Sequence, residues 1–139
     1  MKNGKSQILS INRYPKAALE GPMKGMAGKV INGVFELAGQ RFMALDGGPL
    51  FKFTEALSLY LECSTQEEVD YFWGKLSAVP EAEQCGWAKD KYGLSWQIIP
   101  AVLGELMSGD PDKSNRVMQA ILQMKKIDIE ALKRAHAGG

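Results

Sequence analysis

Hydrophobic and polar positions change period about two-thirds of the way along the chain. Up to Pro100 most apolar residues fall in short strand-like runs; beyond it they recur at helical spacing. Gln7 to Tyr14, QILSINRY, reads as a strand with an irregular alternation. Lys16 to Gly28 is rich in Gly, Ala and Pro and reads as a loop. Lys29 to Asp46 holds two strand-like runs around Ala38-Gly39-Gln40, a hairpin turn. From Ala56 to Cys63 the alternation is clean, with Leu57, Leu59 and Leu61 on one face and Ala56, Ser58 and Tyr60 on the other.

A helix is predicted next. Ser64 stands as N-cap and Glu67 as its capping-box partner. Val69, Phe72, Trp73 and Leu76 then form an apolar stripe at i, i+3, i+4, i+7, and Pro80 ends the segment. Cys85 to Lys89 and Leu94 to Ile99 read as two strands joined by the turn Asp90-Lys91-Tyr92-Gly93, and a further short strand is expected within Glu81 to Gln84. After Pro100 three helical patterns follow. Val102, Leu103, Leu106 and Met107 stripe the first. Asp110-Pro111 opens the second, with Val117, Met118, Ile121 and Leu122 as its buried face. Asp128 caps the third, which buries Ile129 and Leu132. The order implies an α+β fold.

Bulk properties exclude more than they select. A chain of 139 residues suits one domain with one core. The net charge of +1 makes no electrostatic case for nucleic acid or an anionic membrane. No apolar run reaches the ~18 residues of a membrane span, and the N-terminus lacks a signal-peptide core, so a cytoplasmic protein is expected. Cys63 and Cys85 fit small core residues in a reducing compartment better than a disulfide. The single histidine, His136, leaves no basis for a nucleophilic triad and reads as a solvated tail residue. Gly21 to Gly28, GPMKGMAG, has glycine spacing but no strand–helix frame for a nucleotide.

Three segments carry a resemblance: GGPLFKFTEALSLYLECSTQEEVDYFWGKL, QCGWAKDKYGLSWQIIP and RVMQAILQMKKIDIEAL. They resemble the PhnB-like branch of the vicinal oxygen chelate superfamily, the glyoxalase and bleomycin-resistance fold. Members often carry the label 3-demethylubiquinone-9 3-methyltransferase. The resemblance implies paired βαβββ modules, each giving half of a curved sheet around a ligand cavity. Residues 51–100 match the second module and 101–139 are C-terminal helices. Residues 1–50 match an incomplete first module, without a counterpart of the family's opening strand and helix. Either a partner chain covers the apolar face this exposes, as a homodimer with exchanged or rearranged modules, or the native chain starts before Met1.

The superfamily's metal-ligand positions transfer poorly. The first-strand position of the second module matches Ala56, which cannot coordinate; the last-strand position matches Gln97, a weak neutral ligand. A first-module position falls near Asp46. Gln97 and Asp46 are thus the weak metal candidates. No cofactor is expected, with a divalent metal as the alternative, and no S-adenosylmethionine loop supports the methyltransferase label. The candidate ligand-cavity residues are Ser58, Tyr60, Ser95 and Gln97 on the mixed faces of their strands, and Glu55 at the module junction. The expected function is metal-free small-molecule binding by a homodimer. The alternatives are a divalent-metal lyase, isomerase or dioxygenase, and a dimerising scaffold without ligand. Neither nucleic acid nor membrane is an expected partner.

Overall fold

A computed structural model of the chain describes residues 6–139. It divides into two compact units, Met1–Phe51 and Lys52–Gly139.

The first unit is an antiparallel meander of β1 (Gln7–Arg13), β2 (Val30–Leu37) and β3 (Gln40–Leu45), in the order β1-β2-β3. The turn between β2 and β3 has positive φ at Ala38 and Gly39, as a two-residue hairpin of matching twist requires. A register shift between Ile8 and Ser10 inserts Leu9 as an extra residue in β1. That bulge explains the irregular alternation of QILSINRY. It puts Ile8 opposite Phe35 and Ile11 opposite Gly33, on the same face although three positions apart. Phe35 in turn faces Phe42, their rings stacked with centroids 5.6 Å apart. The opposite face is largely polar: Gln7, Glu36 and Arg41 share a row, and Asn12 Nδ2 donates to Asn32 Oδ1 at 2.8 Å.

The second unit pairs β4 (Ser58–Cys63), β5 (Trp87–Lys89) and β6 (Ser95–Pro100) in the order β4-β6-β5. Strands β4 and β6 run parallel, and β5 and β6 antiparallel. Helix α1 (Gln66–Leu76) crosses between them. Its apolar stripe packs as the spacing predicts, with Val69, Phe72, Trp73 and Leu76 against Leu61, Cys63, Ala88, Trp96 and Ile98. Burial lifts the Cys63 thiol to a pKa of about 11. Cys63 and Cys85 are both free thiols.

Several boundaries differ from the sequence reading. The N-cap of α1 is Thr65, not Ser64: its hydroxyl accepts from Glu68 N, and Glu68, rather than Glu67, reaches back to the Ser64 amide at 2.7 Å. Strand β4 starts at Ser58, so Ala56 lies in a turn and Leu57 is exposed rather than part of the core. The strand expected within Glu81 to Gln84 is a single 3-10 turn, Pro80–Ala82, followed by one bridge from Gln84 to Trp87.

Three helices complete the unit: α2 (Val102–Leu106), α3 (Pro111–Leu122) and α4 (Ile129–Ala137). Asp110 and Asp128 cap α3 and α4 as their positions predict. Val117, Ile121, Ile127 and Leu132 form their core, with Leu103, Leu106 and Met107 packed on it. Met118 and Leu122 are exposed, so the buried face of α3 is narrower than its spacing implies. His136 belongs to the last turn of α4 and is half-buried; its carbonyl accepts from Arg116 Nη2. It is not the solvated tail residue that its place in the sequence implies.

One turn joins this helical cluster to the sheet. Cys85 and Gly86 have φ of 52° and 84°. Their amides donate to the carbonyls of Met124 and Lys125, each at 2.8 Å, and the Gly86 carbonyl accepts from Ile98 N. A Cβ on Gly86 would lie 2.7 Å from Ile99 Cδ1 and 3.1 Å from Ile98 O. Gly93 has a similar φ of 86° but nothing within 4 Å of that position. Gly86→Ala should therefore destabilise the protein by about 2–4 kcal/mol, combining the left-handed backbone with overpacking. Gly93→Ala should cost about 1–2 kcal/mol from the backbone alone. Urea unfolding of both variants checks the difference. The thiols give a second check: iodoacetamide at pH 8 should alkylate the partly exposed Cys85 well before Cys63, and mass-mapping that finds Cys63 labelled first would contradict this packing.

Candidate functional site

The helix α1 side of the second sheet is oily; the other side is not. Register fixes the composition of that second face. Ser58 stands beside Ser95, and Tyr60 beside Gln97, across the parallel β4–β6 pair. Trp87 stands opposite Gln97, and Lys89 opposite Ser95, across β5–β6. Period-two alternation thus gathers Ser58, Tyr60, Ser95, Gln97, Trp87 and Lys89 on one surface.

Gln97 Nε2 donates to Ser58 Oγ at 2.9 Å, which orients the amide along the sheet. Tyr60 is more exposed, and partial burial of its phenol, with the Glu62 carboxylate second, raises its pKa. Glu55 sits in the turn before β4 and accepts a hydrogen bond from Lys89 Nζ. That bond, followed by a backbone amide and the lysine charge, holds the Glu55 carboxyl below the ordinary carboxylate range. Beside these groups lies a depression of about 460 Å³, walled by Glu55, Glu81, Gln84, Cys85, Trp87, Lys89 and Ser95 among others.

Of the residues singled out from the sequence, Glu55 and Ser95 line the depression. Ser58 and Gln97 form a bonded pair on the same face, and Tyr60 adjoins Gln97 in register. Asp46 belongs to the other unit, where its Oδ1 accepts from the Gly48 amide and so caps the turn after β3. Trp87 and Lys89 escaped the sequence reading. Their i, i+2 spacing puts them on one face of β5, but only the β5–β6 register shows that this is the face of Ser95 and Gln97.

The donors around Gln97 fit a divalent cation poorly. The amide is neutral, its nearest polar neighbour is a hydroxyl, and Ala56, in a turn, offers only a methyl. Among the described residues no three His, Cys, Asp or Glu side chains converge. No helix among them is long and apolar enough to cross a membrane.

Comparison with known proteins places this geometry in a family. The family model described as 3-demethylubiquinone-9 3-methyltransferase matches residues 3–99. Among curated proteins none matches. Of the solved structures, a putative 3-demethylubiquinone-9 3-methyltransferase, the PhnB protein from Bacillus cereus, is similar at 40% identity. The match covers 70% of this chain and 81% of that one, with a TM-score of 0.55. The α+β architecture with its βαβ-type second unit and C-terminal helices is that of the glyoxalase-like fold. The chain belongs to the 3-demethylubiquinone-9 3-methyltransferase family and, within it, to the PhnB-like branch.

Proposed function

We propose that this protein is a cytoplasmic small-molecule-binding homodimer that works without a resident metal. The observation that carries the binding reading is the mixed face of β4, β6 and β5. A preoriented Ser58–Gln97 pair and the hydroxyl of Ser95 lie beside an indole-walled depression. A few placed polar groups on a concave, partly apolar surface make a small-ligand site. The same face offers neither a nucleophile–base pair nor a glycine-rich phosphate loop, so the methyltransferase label gains no support from it.

The homodimer reading rests on the first unit. Ile8, 70% exposed, joins Ile11, Ile31, Phe35 and Leu37 around a depression of about 720 Å³ on an apolar sheet face. Among the described residues its own unit contains no α-helix to cover that face. A three-stranded sheet gains its stability by burying such a face, and a second copy supplies the cover.

Each part of the proposal has its own expected result. In a fragment screen followed by amide chemical shifts, bound fragments should perturb Ser58, Ser95 and Gln97 together. Ser58→Leu should weaken those fragments at least tenfold, and hits that ignore these residues would remove the site. Light scattering should report a dimer that Ile8→Glu converts to monomer; a wild-type monomer defeats the homodimer. Protein purified without chelators should carry no stoichiometric divalent metal in elemental analysis.

A further inference from the structure

The depression on the mixed face contains one cation whose partner is badly matched to it. Lys89 projects from β5 and is 23% exposed, while Glu55, on the turn before β4, is 64% exposed. An ion pair whose acidic half is solvated contributes little, because water and salt compete for the carboxylate. The lysine, by contrast, is held among Trp87, Ser95 and the sheet, and needs an anion more than Glu55 needs a lysine.

Directly across the strand pair from Lys89 stands Ser95. The residue is 2% exposed and lines the same depression. The neighbouring Ser58 and Gln97 bond to each other, and Ser95 lies beside that pair on the wall of the depression. A serine on the wall of the depression, in register with a lysine that is mostly buried, makes a two-donor seat. An anionic oxygen pair accepts from both groups, and charge-assisted bonds are the stronger kind. The Trp87 ring supplies an apolar wall alongside.

We infer that this seat binds the carboxylate of a small organic acid with an apolar or aromatic body, and that Glu55 is its internal competitor. The inference rests on the small-molecule reading above and names the ligand class. In the free protein the Glu55 carboxylate, itself largely exposed, is the partner of Lys89. An incoming carboxylate displaces it, accepts from Lys89 Nζ and Ser95 Oγ, and releases Glu55 to water. The exchange forms and breaks only hydrogen bonds and ion pairs. Glu81 at the exposed rim adds a second negative charge, so entry of the acid improves with added salt while the seated ion pair weakens with it.

Three probes with one ring isolate the charge: benzoate, benzylamine and benzyl alcohol, titrated into the full chain and followed by tryptophan fluorescence and amide shifts. Benzoate is expected to bind best, moving the Trp87, Lys89 and Ser95 signals. Glu55→Gln, which removes the competing charge at a largely exposed side chain, should tighten benzoate about three- to tenfold. Ser95→Ala should weaken it several-fold, and Lys89→Gln tenfold or more. Both variants must keep the native amide spectrum; if Lys89→Gln loses it, Ser95→Ala and Glu55→Gln alone decide. Equal or better binding of benzylamine or benzyl alcohol at these residues, or weaker benzoate binding in Glu55→Gln, overturns the carboxylate seat while the binding reading stands. Absence of any shift on this face with all three probes and with the fragment screen removes both.

Discussion

The second unit hangs on two backbone amides. Cys85 and Gly86 turn the chain through positive φ and donate to the Met124 and Lys125 carbonyls in the link between α3 and α4, and the Gly86 carbonyl accepts from β6. These bonds give the helical cluster and the sheet a common edge. Without a side chain at Gly86, Ile98, Ile99 and Ile127 close over the turn, so the hydrogen bonds are made inside packed apolar surface where their loss is costly. A second clamp works in parallel. Gln66 in the first turn of α1 donates to the Ile127 carbonyl and accepts from the Ile129 amide. One side-chain amide thereby satisfies the backbone on both sides of Asp128, the cap of α4.

The candidate site inherits its rigidity from this frame. Strand β5 has only three residues, and β6 is its one strand neighbour among the described residues; what aims Trp87 is the tight turn immediately before it, closed by the Gln84–Trp87 bridge. Lys89 and Ser95 face one another because β5 and β6 meet in antiparallel register across the Asp90–Gly93 turn, where Asp90 Oδ1 accepts from the amides of Tyr92 and Leu94. The same aspartate takes the Trp96 indole N–H, which lets that ring stay on the oily face without an orphaned donor. A single side chain thus orders the turn, both strands it joins and one ring of the core.

Much of this was legible in the chain, and the pattern of what was not has physical causes. Strand β4, helix α1, the caps Asp110 and Asp128 and the turn at Ala38-Gly39 rest on local spacing and local hydrogen bonds, which a sequence displays directly. The helix face against the sheet followed from periodicity as well. One difference is a local ambiguity, since Ser64–Glu67 and Thr65–Glu68 both have capping-box spacing; tertiary contact decided the others. Thr65 displaces Ser64 as cap because Glu68, not Glu67, is placed to close the box. Leu57 leaves the core because β4 starts two residues later than its alternation implies, at the Ser58–Ser95 pairing. Met118 and Leu122 look apolar enough to bury, but the core that α3 packs into takes only Val117, Ala120 and Ile121 from that helix. For the site, alternation picked out Ser58, Tyr60, Ser95 and Gln97, whereas Lys89 and Trp87 needed a strand register that no single run of residues contains.

The Gln66 clamp has a consequence for how the protein is made. Its donor and acceptor are separated by 61 positions. At about 5–20 residues per second, a ribosome needs roughly 3–12 s to deliver Ile127 after Gln66. Strand β4 and then α1 are synthesised well before the carbonyl and the amide that hold Gln66 exist. A nascent chain of this protein therefore presents the apolar stripe of α1 for seconds, first before β6 can cover it and then before the Ile127 carbonyl can pin its first turn.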